Sequence, residues 1–254
     1  GELMYTLLLI IFSMIVSLIL TPIIIKVSHK LGIVDKPNFR KVHTKPVSVL
    51  GGTVILFAFL LGIWLGHPIE TEVKPLVIGS VLIYLVGLVD DIYDLKPVIK
   101  LIGQVIAALV VVYYGVTIDF ISLPIGPTIH FGVFGIPITV IWIVAITNAI
   151  NLIDGLDGLA SGVSMIALMT IGFIAILQAN IFIMMICSVL IGALLGFLFF
   201  NFHPAKIFLG DSGALLVGFI VGFLSLLGFK NITFISLFFP TVILAVPFID
   251  TLFA

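Results

Sequence analysis

Nine apolar stretches, most of them about 20 residues long, cut this sequence into pieces that match the hydrocarbon thickness of a bilayer. They run approximately over 3–25, 47–66, 75–91, 97–115, 136–153, 159–177, 181–200, 213–229 and 232–253. A backbone in lipid must satisfy its own hydrogen bonds, so each stretch is expected to be a helix. The fold class that follows is all-α, a polytopic membrane protein with about nine transmembrane helices. Composition agrees, since only 9% of residues are charged against about 25% in a soluble domain. No basic tract suited to nucleic acid appears, and none is expected as a partner. The lone cysteine, Cys187, excludes a disulfide framework and reads as a packing residue inside an apolar run. The first run lacks a basic segment before it and is too long for a signal-peptide core, so it reads as a retained span. Repeats and linkers are absent, and residues 1–254 form one integral-membrane domain.

Lys and Arg orient the chain. With an odd number of spans, the breaks after the first, third, fifth, seventh and ninth share a side, and that side holds nine of the eleven basic residues. It is therefore expected to be cytoplasmic, with the N-terminus outside and a small outer hairpin near 116–135. Eight of the nine aspartates fall on the same side, with Asp119 the exception. A carboxylate near hydrocarbon costs roughly 2.5–3.5 kcal/mol on insertion scales, so such residues point to binding or reaction.

The polar breaks fall into four groups. Asp90, Asp91 and Asp94 end the third span; if the helix continues, Asp90 and Asp94 share a face. Three carboxylates so close repel one another unless a cation intervenes. The alternative is a solvated helix end with Lys96 and Lys100 as partners. Asn148, Asn151, Asp154 and Asp157 follow at three-residue steps, so two or three can converge, and Gly155 and Gly158 let the backbone turn sharply. Asp211 stands between Gly210 and Gly213 before the eighth span, whose N-terminal N–H groups suit a phosphate, or are simply capped by Asp211 or Ser212. Upstream, Lys206 and Phe208 pair a cation with an aromatic face, which suits a nucleotide, and His203 is a weaker candidate than Asp211. The loop 26–46 carries Arg40, His43 and Lys45 among prolines; its charge also fits the positive-inside signal and attraction to anionic lipid. Together these suit chemistry on phosphates, with oxygen-only ligands that favour Mg²⁺, or Mn²⁺, over zinc.

The ordered set Val34-Asp35-Lys36-Pro37, Arg40-Lys41-x-His43, Pro46, Gly51-Gly52, Asp90-Asp91-x-x-Asp94, Asn148-x-x-Asn151-x-x-Asp154-Gly155-x-Asp157-Gly158 and Pro204-Ala205-Lys206-x-Phe208-x-Gly210-Asp211-Ser212-Gly213 resembles the polyprenyl-phosphate N-acetylhexosamine-1-phosphate transferases. The first loop is more similar to the UDP-N-acetylglucosamine–undecaprenyl-phosphate enzymes, of teichoic acid or O-antigen type, than to the muramoyl-pentapeptide type. The resemblance implies a transferase of the bacterial plasma membrane with a cytoplasmic site. The polyprenyl phosphate attacks the β-phosphorus of a UDP-sugar, UMP leaves, and a lipid-linked sugar for the cell envelope remains. It also implies roles. Asp211 would bind Mg²⁺, Asp90 would be the base, and Asp91 would help place the lipid phosphate. Asp154, Asp157 and Asn201 would hold uridine or sugar, and Phe208 would stack on uracil. Arg40, His43 and Lys45 would meet phosphates; Asp94, Asn148, Asn151 and Lys206 complete the substrate-binding set. A homodimer is compatible with such a scaffold. The family pattern continues past the ninth span into a basic, His-rich cytoplasmic loop and at least one more helix. This sequence ends at Ala254, and we expect it to lack that part.

Three rival readings are weaker. A cation transporter would call for internal repeats and a path across the membrane. An intramembrane aspartyl protease would use Tyr93-Asp94 with Leu209-Gly210-Asp211, but Phe208 stands where its first glycine belongs. A CDP-alcohol transferase needs an arginine shortly after Asp154-Gly155, where there is none.

Overall fold

A computed structural model describes residues 2–35, 45–122 and 128–229. Eight α-helices lie among them: α1 (Glu2–Leu31), α2 (Gly51–Gly66), α3 (Val73–Tyr93), α4 (Pro97–Tyr113), α5 (Gly135–Ile153), α6 (Leu159–Leu177), α7 (Ile181–Asn201) and α8 (Gly210–Phe229). Six spans are long and apolar enough to cross a membrane, while α2 and α4 are shorter apolar helices. The expected ninth span, with Pro240 and Pro247, lies outside the described residues, as do Arg40 and His43.

Helix boundaries depart from expectation in three informative places. α1 continues past 25 through Lys26, His29 and Lys30 before Gly32 turns the chain at φ +73°. Long basic side chains reach water from a helix end, so the charge does not stop the helix. α2 starts at Gly51 rather than 47, because Val47–Ser48 (β2) pairs antiparallel with Val34–Asp35 (β1). α8 starts at Gly210 rather than 213, so the Gly-Asp-Ser-Gly motif is the first helical turn itself. The expected hairpin forms from Phe120–Ser122 (β3) and Thr128–His130 (β4).

α8 is the central post, with α2, α3, α5 and α6 around it, while α7 packs on α1, α2 and α6. Lipid tails are as apolar as leucine, so helices associate through close packing of small residues rather than through water expulsion. The glycines show where this happens. A Cβ at Gly218 would lie 2.8 Å from the Thr147 Cα, and one at Gly79 would strike the Phe219 ring. Gly192 and Gly196 set α7 directly against the α1 backbone at Ile10 and Met14.

Contacts also show which helix ends share a face. On one face, the Tyr5 hydroxyl near the start of α1 donates to the Gly66 carbonyl at the end of α2 (2.6 Å). On the other, the starts of α2 and α8 are zipped together. Phe208 N–H donates to Ser48 O (2.7 Å), Gly51 N–H to Phe208 O (3.1 Å) and Gly52 N–H to Leu209 O (3.0 Å).

A side chain at Gly196 has no room beside the Met14 carbonyl, whereas Gly162 faces open space. Gly196→Val should cost about 1–3 kcal/mol by overpacking, lowering the thermal unfolding midpoint in detergent, and Gly162→Ala should not. Equal midpoints for the two variants would contradict the close α1–α7 crossing.

Candidate functional site

Four helix ends bring the polar residues together: the C-terminal turns of α3 and α5 and the N-terminal turns of α4 and α8. Asp90 and Asp91 end α3, and the chain then breaks at Asp94, whose left-handed φ of 52° closes the helix through a bond from its N–H to Asp90 O (2.8 Å). The helix therefore does not continue to Asp94. That carboxylate is exposed and does not share a face with Asp90, contrary to the helical-face expectation.

Lys100, in the first turn of α4, is the hub. Its Nζ lies 2.7 Å from Asp90 Oδ2 and forms a second ion pair with Asp211 Oδ1. Asn151 Nδ2 donates to the same Asp211 oxygen at 2.7 Å. The other Asp90 oxygen accepts the Leu95 N–H at 2.8 Å. The Asp90 side chain is 7% exposed and that of Asp211 36%, so Asp211 is the more accessible of the two.

The register that allows this is set one turn deeper. Gln104 follows Lys100 by four residues, and Asn148 precedes Asn151 by three, so each pair lies on one helix face. Gln104 Nε2 donates to Asn148 Oδ1 (3.2 Å) and Asn148 Nδ2 donates back to Gln104 Oε1 (2.5 Å). This reciprocal amide pair locks α4 to α5. Asn148 was expected to bind substrate; here both ends of its amide hold helices.

Asp91 points elsewhere. Its Oδ1 accepts the Asp211 N–H (2.7 Å) and its Oδ2 the Ser212 N–H (2.9 Å). The start of α8 is thus capped neither by Asp211 nor by Ser212, and these N–H groups are not free for a phosphate, as the sequence had suggested. Asp154 follows α5 and is partly buried. Burial holds its carboxyl well above the usual carboxylate range, and the charges of Asp211 and Asp91 push the same way.

Asp157 and Asn201 brace the loop between α7 and α8. Asp157 Oδ2 accepts His203 Nδ1 and the Ala205 N–H, both at 3.0 Å. Asn201, only 3% exposed, donates to Ile207 O (3.0 Å) and accepts from Ser161 Oγ (3.1 Å). Asn201 was expected to hold the uridine or sugar; here both ends of its amide are bonded within the protein. The loop they hold presents exposed Lys206 and half-buried Phe208, and Lys45 is exposed on the adjoining strand end. Lys100 and Gln104 escaped the site assignment. Lys100 had entered only as an ordinary helix-end partner, and Gln104 carries no local signal.

Among the described residues, no three His, Cys, Asp or Glu side chains form a ready metal cage. The donor set nonetheless suits Mg²⁺, which is commonly held by one or two carboxylates plus substrate phosphates. Asp211, the Asn151 amide and Asp90 are all oxygen donors, and the carboxylates of Asp90 and Asp211 already converge on one cation, the Lys100 ammonium.

Asp90 and Asp211 are buried or half-buried with Lys100 as their shared partner. Breaking a buried ion pair by removing one partner costs about 3–5 kcal/mol, less where solvent reaches it. Lys100→Met should therefore lower the thermal unfolding midpoint more than Lys100→Met combined with Asp90→Asn, since the double variant leaves less uncompensated charge. Additive losses would contradict the bridge.

Comparison with known proteins points one way. The family model described as glycosyl transferase family 4 matches residues 74–229. A probable undecaprenyl-phosphate N-acetylglucosaminyl 1-phosphate transferase of Bacillus subtilis (strain 168) is 43% identical over 247 residues, covering 96% of this chain and 69% of the relative. A decaprenyl-phosphate N-acetylglucosaminephosphotransferase of Mycolicibacterium smegmatis is 32% identical over 76% of this chain and 52% of its own length. A phospho-N-acetylmuramoyl-pentapeptide-transferase of Enterococcus hirae is 37% identical, with coverages of 70% and 60%. This chain spans about half to two thirds of the length of these three relatives.

Proposed function

We propose, from the premise that this chain belongs to glycosyl transferase family 4, that it transfers N-acetylglucosamine 1-phosphate from UDP-N-acetylglucosamine to undecaprenyl phosphate. One oxygen of the lipid phosphate bonds to the β-phosphorus of the UDP-sugar, the bond from that phosphorus to UMP breaks, and a polyprenyl-diphospho-sugar remains. The observation that carries this reading is the Asp90–Lys100–Asp211–Asn151 cluster at the converging helix ends.

The cluster has an excess of carboxylates over its single ammonium. That balance disfavours an anionic substrate alone and suits one that arrives with a cation. Mg²⁺, when bound through Asp211 with Asn151 and Asp90 beside it, would supply charge neutralisation to the diphosphate. Phosphoryl transfer depends mainly on positioning and electrostatic stabilisation, and the protein side chains divide that work. Lys100, held by Asp90, offers an ammonium to phosphate oxygens. Asp90 thereby acts chiefly in orienting charge, and a lipid phosphate that is largely dianionic at neutral pH asks little of a base. Asp154, which follows α5, would hold the uridine or sugar. Phe208 and Lys206, on the loop braced by Asp157 and Asn201, would meet uracil and the nucleotide phosphates.

Run length in the sequence supports nine spans, and the basic bias supports an N-terminus outside and a site facing the cytoplasm of a bacterial plasma membrane. Cys187 is buried, so cysteines introduced at exposed positions report alone. Tyr93→Cys and Leu156→Cys should react only with a membrane-permeant reagent, and Ile69→Cys also with an impermeant one. The reverse pattern would invert the topology.

Membranes containing the protein should release UMP from UDP-N-acetylglucosamine only when undecaprenyl phosphate and Mg²⁺ are present. Asp211→Asn should abolish release while the protein stays folded. Phe208→Ala should chiefly weaken UMP binding in calorimetry, since stacking on a base is worth about 1–3 kcal/mol. No release from UDP-N-acetylglucosamine, with release from UDP-N-acetylmuramoyl-pentapeptide, would move the chain to the muramoyl-pentapeptide reaction.

A further inference from the structure

We infer that Asp91 is a positioning residue for Asp211: its carboxylate clamps the first turn of α8 and does not contact the lipid phosphate. This rests on the reading of Asp211 as the metal-binding side chain.

Both oxygens of Asp91 are committed to α8, one to the Asp211 N–H (2.7 Å) and one to the Ser212 N–H (2.9 Å). A negative group at a helix start is favourable, because the unsatisfied N–H groups there carry positive partial charge. An anion already in that place denies it to a phosphate. The fit is tight on every side. A Cβ at Gly210, which has a φ of +72°, would stand 2.9 and 3.0 Å from the two carboxylate oxygens and would run into the Val49 carbonyl. One turn before Asp91 on α3, Gly87 lets the backbones touch: its Cβ would lie 2.6 Å from Ser212 N and 2.7 Å from the Asp211 carbonyl carbon. A side chain as short as Asp91 therefore reaches the α8 start, and only from this spacing. With its own N–H pinned, Asp211 holds its carboxylate against Lys100 and Asn151.

The clamp predicts a phenotype that a lipid-phosphate contact would not produce. Asp91→Asn keeps the volume but leaves one accepting oxygen for two N–H donors. Asp91→Glu keeps both oxygens and adds a methylene that the contact between α3 and α8 cannot absorb. Three readouts apply to each variant: hydrogen exchange of peptides covering 210–214, Mn²⁺ affinity in the presence of UMP by electron paramagnetic resonance, and KM for undecaprenyl phosphate at saturating Mn²⁺. The expected result is exchange at least ~tenfold faster and Mn²⁺ binding at least ~tenfold weaker, with KM for the lipid within about twofold. Unchanged Mn²⁺ affinity overturns the proposal, as does a large rise in lipid KM with normal exchange. Asp211→Asn serves as the control. If it binds Mn²⁺ normally, the metal reading of Asp211 fails, and the clamp is then judged on exchange and lipid KM alone.

Discussion

Carboxylates gathered at the edge of a hydrocarbon layer need a counter-charge, and Lys100 supplies it. Its ammonium joins Asp90 on α3 to Asp211 on α8 from a position on α4, so three helices are committed to one point. Much of the neighbouring structure serves that meeting. The Gln104–Asn148 amide pair sets how far α4 slides along α5, and Asn151 then falls on the same Asp211 oxygen as Lys100. Asp91 holds the α8 turn that carries Asp211. A shift of α4 by a single turn, about 5.4 Å, would undo both Lys100 ion pairs and the Gln104–Asn148 amide pair together.

The approach of backbones makes such economy of side chains workable. Gly52 lies against Gly213 and Ser212, Gly87 against Ser212, and Gly210 against Val49 and Asp91. At each of these glycines an added methyl group would hold the helices apart. The polar residues around the site accordingly fall into two kinds. Asp90, Lys100, Asn151 and Asp211 are bonded directly to one another. Asp91, Asn148, Asp157 and Asn201 spend their hydrogen bonds on backbone or on a neighbouring helix.

The sequence shows that distinction only in part. Apolar run length located eight helices closely, because a bilayer sets that length. The basic bias grouped the aspartates on one face. Three-residue spacing suggested that two or three of Asn148, Asn151, Asp154 and Asp157 could converge, whereas Asn148 meets Gln104, Asn151 meets Asp211 and Asp157 meets His203. What stayed hidden depends on register between segments far apart in the chain. Lys100 looked like an ordinary helix-end lysine until α3 and α8 were brought beside it, and Gln104 had meaning only opposite Asn148. The start of α8 was placed too late because its cap comes from Asp91, 120 residues upstream. β1 and β2 escaped notice because two-residue strands have no period to read. The protease reading fails on the same ground: Asp94 turns out to solvent at the end of α3, so it does not form a pair with Asp211.

On the proposed reading, Asp90 and Asp211 define one cation position, at which bound metal displaces the Lys100 ammonium. Anomalous scattering from crystals grown with Mn²⁺ and UMP tests it directly. A Mn²⁺ peak is expected at the Asp211 carboxylate, with the Lys100 ammonium moved off the Asp90–Asp211 bridge. A peak remote from Asp211, or Lys100 still bridging both carboxylates beside a bound metal, would contradict it.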